Sequence, residues 1–277
     1  MKGRVLVVAG SDSGGGAGIQ ADIKTITALG GYAMTAVTAL TAQNTRGVAG
    51  VHAVPPDFVA RQIRVTLEDL GADAVKTGML GDAATVQAVA DALDELAADV
   101  PWVIDPVMVA KGGGRLLRQD AIGILLARLV AKAAVVTPNL PEAAQLTGLT
   151  VETTDHMESA GRALLELGAK AALVKGGHLK GQRVVDVLVT GQGTQRFESP
   201  RIDTRHTHGT GCTLASAVAC SLAQGIGVED AVRRARDFVL GAIRAAPGFG
   251  SGHGPLNHAH AIGPYGRVAG GNTKKQS

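Results

Sequence analysis

Short apolar runs alternate with longer stretches of helical spacing, and this alternation constrains the chain more than any other feature. Arg4–Ala9, centred on Val5-Leu6-Val7-Val8, has the composition of a buried strand. Ala17–Leu29 then sets Ile19, Ile23, Ile26 and Leu29 on one helical face. Further strands are expected at Tyr32–Leu40, Val48–Val54, Ala74–Lys76, Trp102–Ile104, Ala134–Thr137 and Ala171–Lys175. Helices are expected at Asp57–Leu70, Ala83–Leu96, around Ala121–Ala131, at Pro141–Leu146 and at Met157–Leu167. Val184–Val189 and Gln195–Glu198 alternate like an antiparallel edge pair. Two helices follow, and the last, Glu229–Arg244, carries Glu229/Arg233 and Asp230/Arg234 at i,i+4 spacing. The expected fold is α/β: a mainly parallel central sheet covered by helices on both faces. One domain is expected over residues 1–265, with a Gly/Pro/His-rich loop at 247–264 and a disordered tail at 266–277.

Composition narrows the partners. The 277 residues are enough to bury a substantial core, and the formal charge of +3 is a local effect. Arg267, Lys274 and Lys275 lie in an acid-free tail, and without them 24 basic residues face 24 acidic ones. Aromatic residues make up only 3%, which leaves little to stack nucleic-acid bases on. Cys212 and Cys220 sit eight residues apart on one expected helix, roughly 12 Å and too far for a disulfide. Reduced thiols and the lack of a signal peptide point to the cytoplasm. No apolar run approaches the ~18 residues of a membrane helix.

The expected strand ends carry the polar and glycine residues. They are Gly10-Ser11-Asp12, Thr41-Ala42-Gln43-Asn44, Lys76-Thr77-Gly78-Met79, Asp105-Pro106-Val107-Met108, Thr137-Pro138-Asn139 and Lys175-Gly176-Gly177-His178. In a parallel sheet these lie along the carboxyl edge, where open α/β proteins bind ligands. Gly209-Thr210-Gly211-Cys212 precedes the apolar helix Thr213–Ala219. Its glycines and helix start form an anion site, and the helix dipole is expected to lower the thiol pKa of Cys212. A tight turn followed by a core cysteine is the plainer alternative.

Two nucleotide motifs fail. Gly16-Ala17-Gly18-Ile19-Gln20-Ala21 fits the dinucleotide pattern, but the next strand ends in Thr41-Ala42-Gln43-Asn44 without the required acid. Neither Lys24-Thr25 nor Lys76-Thr77 has the glycine that precedes a Walker lysine. Glu142, in Asn139-Leu140-Pro141-Glu142, could hold Mg²⁺ beside a phosphate or simply complement the helix dipole. Asp105 ends an apolar strand, a costly place for an unpaired acid. Lys175 ends another, where it could neutralise phosphate charge or be a solvated strand end. Histidine pairs His206/His208 and His258/His260 have i,i+2 spacing. Loop hydrogen bonding suits them better than zinc, for want of a cysteine cluster.

Ala9-Gly10-Ser11-Asp12-Ser13-Gly14-Gly15-Gly16-Ala17-Gly18-Ile19-Gln20-Ala21-Asp22 resembles the N-terminal signature of the hydroxymethylpyrimidine/phosphomethylpyrimidine kinases, a branch of the ribokinase-like superfamily. Thr41–Thr45, Asp105–Met108, Thr137–Ala143 and His206–Thr213 resemble its later motifs, in order, over about residues 4–265. The resemblance implies a three-layer α/β/α kinase of thiamine biosynthesis that uses ATP and Mg²⁺. It would phosphorylate a pyrimidine alcohol and then the monophosphate, and a homodimer is implied. Gln43 matches the residue that bonds the aminopyrimidine edge, with Gly10, Asp22, Met79 and Val107 at or near that pocket. Asn139, Glu142 and Lys175 match the ATP side, and Asp105, with Glu142, the metal. Gly209, Thr210 and Gly211 match the anion hole, and Cys212 stands where sugar kinases of the superfamily carry Asp. Competing readings are a pyridoxine or pyridoxal kinase and a non-catalytic precursor-binding protein. Lid loops are expected at Gly112–Arg115 and Lys180–Arg183.

Overall fold

The structure is a computed structural model that describes residues 2–109, 113–114 and 116–263. Among these residues nine strands form one sheet in the order β3-β2-β1-β4-β5-β6-β7-β8-β9. In chain order they are β1 (Arg4–Asp12), β2 (Tyr32–Asn44), β3 (Gly47–Ala53), β4 (Ala74–Thr77), β5 (Trp102–Ile104), β6 (Val135–Val136), β7 (Ala171–Val174), β8 (Arg183–Thr190) and β9 (Gly193–Pro200). Strands β2, β1, β4, β5, β6 and β7 run parallel, while β3 at one edge is antiparallel to β2 and, toward the other edge, β8 is antiparallel to both β7 and the edge strand β9. The chain leaves β1 toward β2 and later returns to β4 on the other side of β1. That switch point is where an open α/β sheet offers its crevice.

Alternate residues of β1 explain the layers. Leu6 and Val8 face one core with Val59 and Ile63 of α2 (Pro56–Leu70) and Val86, Val89 and Leu93 of α3 (Ala83–Leu96). Val5, Val7 and Ala9 face the other, with Ile26 of α1 (Gly18–Ala28) and the small residues Ala215, Ala217 and Ala219 of α7 (Thr210–Ala223). Helix α8 (Val228–Arg244) packs outside α7, and α5 (Leu140–Thr147) and α6 (Thr154–Glu166) cover β7 and β8. This is the ribokinase-like three-layer α/β/α arrangement. Among the described residues no helix is long and apolar enough to cross a membrane.

Four local expectations change. Gly10–Asp12 and Thr41–Asn44 continue as strand, because β1 and β2 stay paired to Asp12 and Thr41. The helix expected around Ala121–Ala131 is α4 (Ile122–Ile124) followed by a π-helical stretch Leu125–Leu129 and a 3-10 turn Val130–Lys132. The wider π turn keeps Leu125, Leu129 and Val130 all in the core while Arg128 reaches Asp91 and Asp94 on α3. Arg233 does pair with Glu229 at 2.9 Å, but Arg234 turns inward to Gln224, Ser221 and the Leu29 carbonyl rather than to Asp230. Three partners on the packed side outweigh one exposed ion pair. The expected lid at Lys180–Arg183 is tied to the neighbouring strand end, where Arg201 donates to the Gly181 and Gly177 carbonyls at 2.8 and 3.1 Å. Gly112 and Arg115 of the other expected lid, and the tail at 266–277, lie outside the described residues.

The last described segment is docked by histidines, as their loop role anticipated. His258 shares a 2.9 Å hydrogen bond with Thr213 on α7, and the His260 ring packs on Phe238 of α8 with centroids 4.7 Å apart. Burial, with Lys24 and His260 nearby, pushes the His258 pKa down to about 4. The unfolded chain therefore takes up a proton between about pH 6.5 and 4 that the folded chain refuses, so stability falls as pH falls through that window. Thermal unfolding between pH 7 and pH 4 should show this fall. His258→Gln, which keeps a hydrogen-bonding side chain but cannot titrate, should flatten it.

Candidate active site

The carboxyl edge of the sheet meets the start of α7, and glycines make the meeting possible. Gly209 caps α7 with φ +85°, and a Cβ there would overlap the Gly16 carbonyl oxygen. The backbone of the glycine-rich loop after β1 thus rests directly on the turn before α7, in a conformation L side chains avoid. Asp12 knots the loop from inside. Its carboxylate accepts from the N–H groups of Gly14, Gly16 and Ala17 at 2.8, 3.1 and 2.8 Å. It also takes the His208 ring at 2.8 Å. Burial works against the charge, but His208 and those N–H groups outweigh it and hold Asp12 below the ordinary carboxylate range.

His208 continues to Gln43, whose Nε2 lies 3.3 Å from the ring and whose Oε1 accepts from Thr41. Gln43 is therefore one side-chain contact from the residue before Gly209. Gly10 lies on β1 against the Met79 methyl, which a Cβ at Gly10 would approach to 2.5 Å. These two flank the switch point between β1 and β4, and Met79 also lines a cavity of about 150 Å³ under β3. Val107 donates its N–H to the Asp105 carbonyl at 2.8 Å, in the turn that leaves β5.

Gly211 joins the α7 turn to the charged residues. A Cβ built there would lie 3.3 Å from Lys175 Nζ and 4.0 Å from Asp105 Oδ2. Lys175 donates to Asp105 at 2.9 Å and lies 3.9 Å from Glu142. Asp105 also accepts from Thr137 at 3.0 Å. Although burial opposes its charge, Lys175 and Lys76 hold Asp105 below its usual range. Asn139 and Glu142 form a reciprocal capping box at the start of α5, at 2.9 and 2.7 Å. The helix-start reading of Glu142 is therefore realised, and the same carboxyl still faces Lys175. Burial pushes its pKa up to about 7, against the pull of Lys175.

Model and chain agree over nearly all of this region: the phosphomethylpyrimidine kinase family model matches residues 12–257. The chain belongs to the phosphomethylpyrimidine kinase family. A hydroxymethylpyrimidine/phosphomethylpyrimidine kinase of Streptomyces coelicolor is 51% identical over 259 residues, covering 94% of this chain and 95% of that protein. The thiamine biosynthesis bifunctional protein ThiED of Geobacter sulfurreducens is 53% identical over 93% of this chain, which spans only 52% of its length. Among solved structures, an ADP complex of Bacillus subtilis pyridoxal kinase superposes with a TM-score of 0.87 at 37% identity, covering 94% and 98% of the two chains. A phosphomethylpyrimidine kinase from Clostridium difficile gives 0.77 at 38% identity over 87% and 100%.

Two residues of this kinase depart from expectation. Cys212 does occupy the first turn of α7, but its thiol pKa is raised to about 11, not lowered. Burial outweighs the Lys76 charge and the Gly18 N–H that favour the thiolate, and Asp22 and Asp105 add to the rise. Asp22, expected at or near the substrate pocket, has no exposed surface. It accepts from Lys76 at 2.9 and 3.0 Å and from Ser216 at 2.6 Å. By sequence alone, Asp12 and Lys76 are placed only among the polar strand ends, and His208 is given only loop hydrogen bonding. Lys76 carried the same signal as Lys175, a lysine closing an apolar strand.

Gly209→Ala tests the contact between the two loops. The variant should fold, as judged by circular dichroism, while kcat falls by about 10²–10³, the effect of losing one aligned anion-hole donor. Wild-type turnover would separate the turn from catalysis.

Proposed function

We propose that this kinase moves the γ-phosphoryl group of ATP to the hydroxyl of a hydroxymethylpyrimidine and then to the resulting monophosphate, at the junction of α7 with the carboxyl edge. The observation that carries the reading is the approach of Gly211 to Lys175 and Asp105, one residue from Cys212. Phosphoryl transfer asks mainly for alignment and charge stabilisation, and a helix start beside a lysine offers both. The names of the curated relatives support the substrate, and the ADP complex of a structural neighbour supports ATP as donor.

The chain's own residues divide the work. The Gly209–Gly211 turn and Lys175 receive the charge of the transferred group, and Asn139 lies on the ATP side. Gln43, oriented by Thr41 and His208, would meet the aminopyrimidine edge with a donor and an acceptor. Gly10, Met79 and Val107 would shape the pocket around it. Cys212 would accept the hydroxyl proton as the substrate oxygen attacks. The donor set fits Mg²⁺ that arrives with ATP. Asp105 and Glu142 both approach the Lys175 ammonium, at 2.9 and 3.9 Å, and Mg²⁺ takes one or two carboxylates alongside phosphate and water oxygens. Among the described residues no cluster of three or more His, Cys, Asp or Glu could hold a metal alone. When bound, the ion would neutralise charge on the phosphates. Two free cysteines suit the reducing cytoplasm, and a homodimer is the assembly to be measured by light scattering.

Pyridoxal phosphorylation is a second reading, favoured by the close superposition on a pyridoxal kinase. Incubation with Mg·ATP and each alcohol, followed by product analysis, decides between them. Binding without ADP release would instead make the chain a sensor.

Cys212→Ala should lower kcat by about 10²–10⁴. Since the base must be unprotonated and its pKa lies near 11, wild-type kcat/KM should rise from pH 7 to pH 9. The variant should lose that rise, and a retained one would assign the base elsewhere. Gln43→Ala should raise KM for the pyrimidine with little change in KM for ATP, and an unchanged pyrimidine KM would move the pocket away from Gln43.

A further inference from the structure

Among the described residues Lys76 is the largest side chain with no exposed surface, and it carries a charge in the middle of the sheet. It points from β4 to the face covered by α1 and α7. There its ammonium binds both oxygens of Asp22 at 2.9 and 3.0 Å, and Asp22 also accepts from Ser216 at 2.6 Å. Ser216 stands one helical turn after Cys212, so this Lys–Asp–Ser cluster meets α7 on the helix face that carries Cys212. Gly78 closes the space from the other side, where a Cβ would come within 3.0 Å of Lys76 Nζ.

Such a pair is a poor way to gain stability. Burying two ions costs several kcal/mol each in practice, and apolar replacements are often neutral or better. Three elements nevertheless converge to hold this cation in one place. The groups facing Cys212 are Lys76 from β4, Asp22 from α1, Asp105 after β5, Lys175 after β7 and the Gly18 N–H. Lys76 in turn faces Asp22, Cys212 and Asp105. Lys76 favours the thiolate, against burial and the carboxylates of Asp22 and Asp105.

We propose that Lys76, fixed by Asp22 and Ser216 beneath the first turn of α7, is a positioning cation that makes Cys212 ionisable in a buried setting. The inference rests on Cys212 as the proton acceptor and adds to Lys175 a second positive charge, one sealed from solvent and from ATP. Asp22 sets its strength. The carboxylate anchors the ammonium and cancels part of its field, and the Ser216 hydroxyl draws off part of the carboxylate's own charge.

The test is the pH dependence of Cys212 alkylation by iodoacetamide, followed by mass analysis of the modified peptide so that buried Cys220 does not interfere. Lys76→Met should raise the midpoint by about one pH unit, a roughly tenfold slower reaction at any pH below it. Removing one partner of a buried pair can prevent folding. Lys76→Met/Asp22→Asn therefore removes both charges and should raise the midpoint by less. Ser216→Ala, the mildest change, should also raise it slightly. A midpoint that stays at the wild-type value in the folded variants overturns the proposal. If Cys212→Ala turns over normally while Lys76→Met still shifts alkylation, the electrostatic link stands and the base assignment fails. The reverse pattern removes Lys76 and leaves the base in place.

Discussion

Backbone contact between Gly209 and Gly16 is the constraint on which the site depends. The two glycines are separated by nearly the whole sheet in sequence, and their chains touch without any side chain between them. Only that contact allows the turn before α7 to sit over the end of β1, at the switch point between β1 and β4. Asp12 and His208 then bind the two loops laterally, so glycine provides the closeness and the polar pair provides the alignment. The Gln43 amide lies 3.3 Å from the same His208 ring nitrogen, which brings the end of β2 up to the helix start.

Charge is arranged in two tiers around that junction. The upper tier joins Lys175 to Asp105 at 2.9 Å and to Glu142 at 3.9 Å, and Lys175 is the most exposed of the three. The lower tier, Lys76 with Asp22, is sealed and can exchange nothing. In a low-dielectric setting a fixed charge acts over several ångströms with little screening, so the sealed pair influences the thiol without touching the substrate.

Much of this was legible before any coordinates. Leu6, Val8 and their alternating neighbours announced a two-sided sheet, because a period of two with both faces apolar has few other solutions. The polar tips of the strands announced a ligand edge for the same reason. Glu142 was legible as a helix-start acid, and the capping box with Asn139 is the form that role takes. The π-helical stretch at Leu125–Leu129 was not legible, because its local pattern is that of any apolar helix and only packing on α3 selects the wider turn. Arg234 likewise looked like half of a surface pair until the Leu29 carbonyl and Gln224 were near it.

The amino-acid order alone therefore determined the layered α/β architecture, the edge that bears the chemistry and the family to which the chain belongs. All three follow from local periodicity and short contiguous motifs. Tertiary structure decided the ionisation of Cys212, the burial of Asp22 and the part played by Lys76. Each of these depends on how much protein surrounds a group and which distant charge faces it, and neither quantity is written in its sequence neighbours. A helix start by itself would lower the thiol's proton affinity, but the packing of α7 against β1 and α1 adds a larger desolvation penalty of opposite sign, and burial prevails.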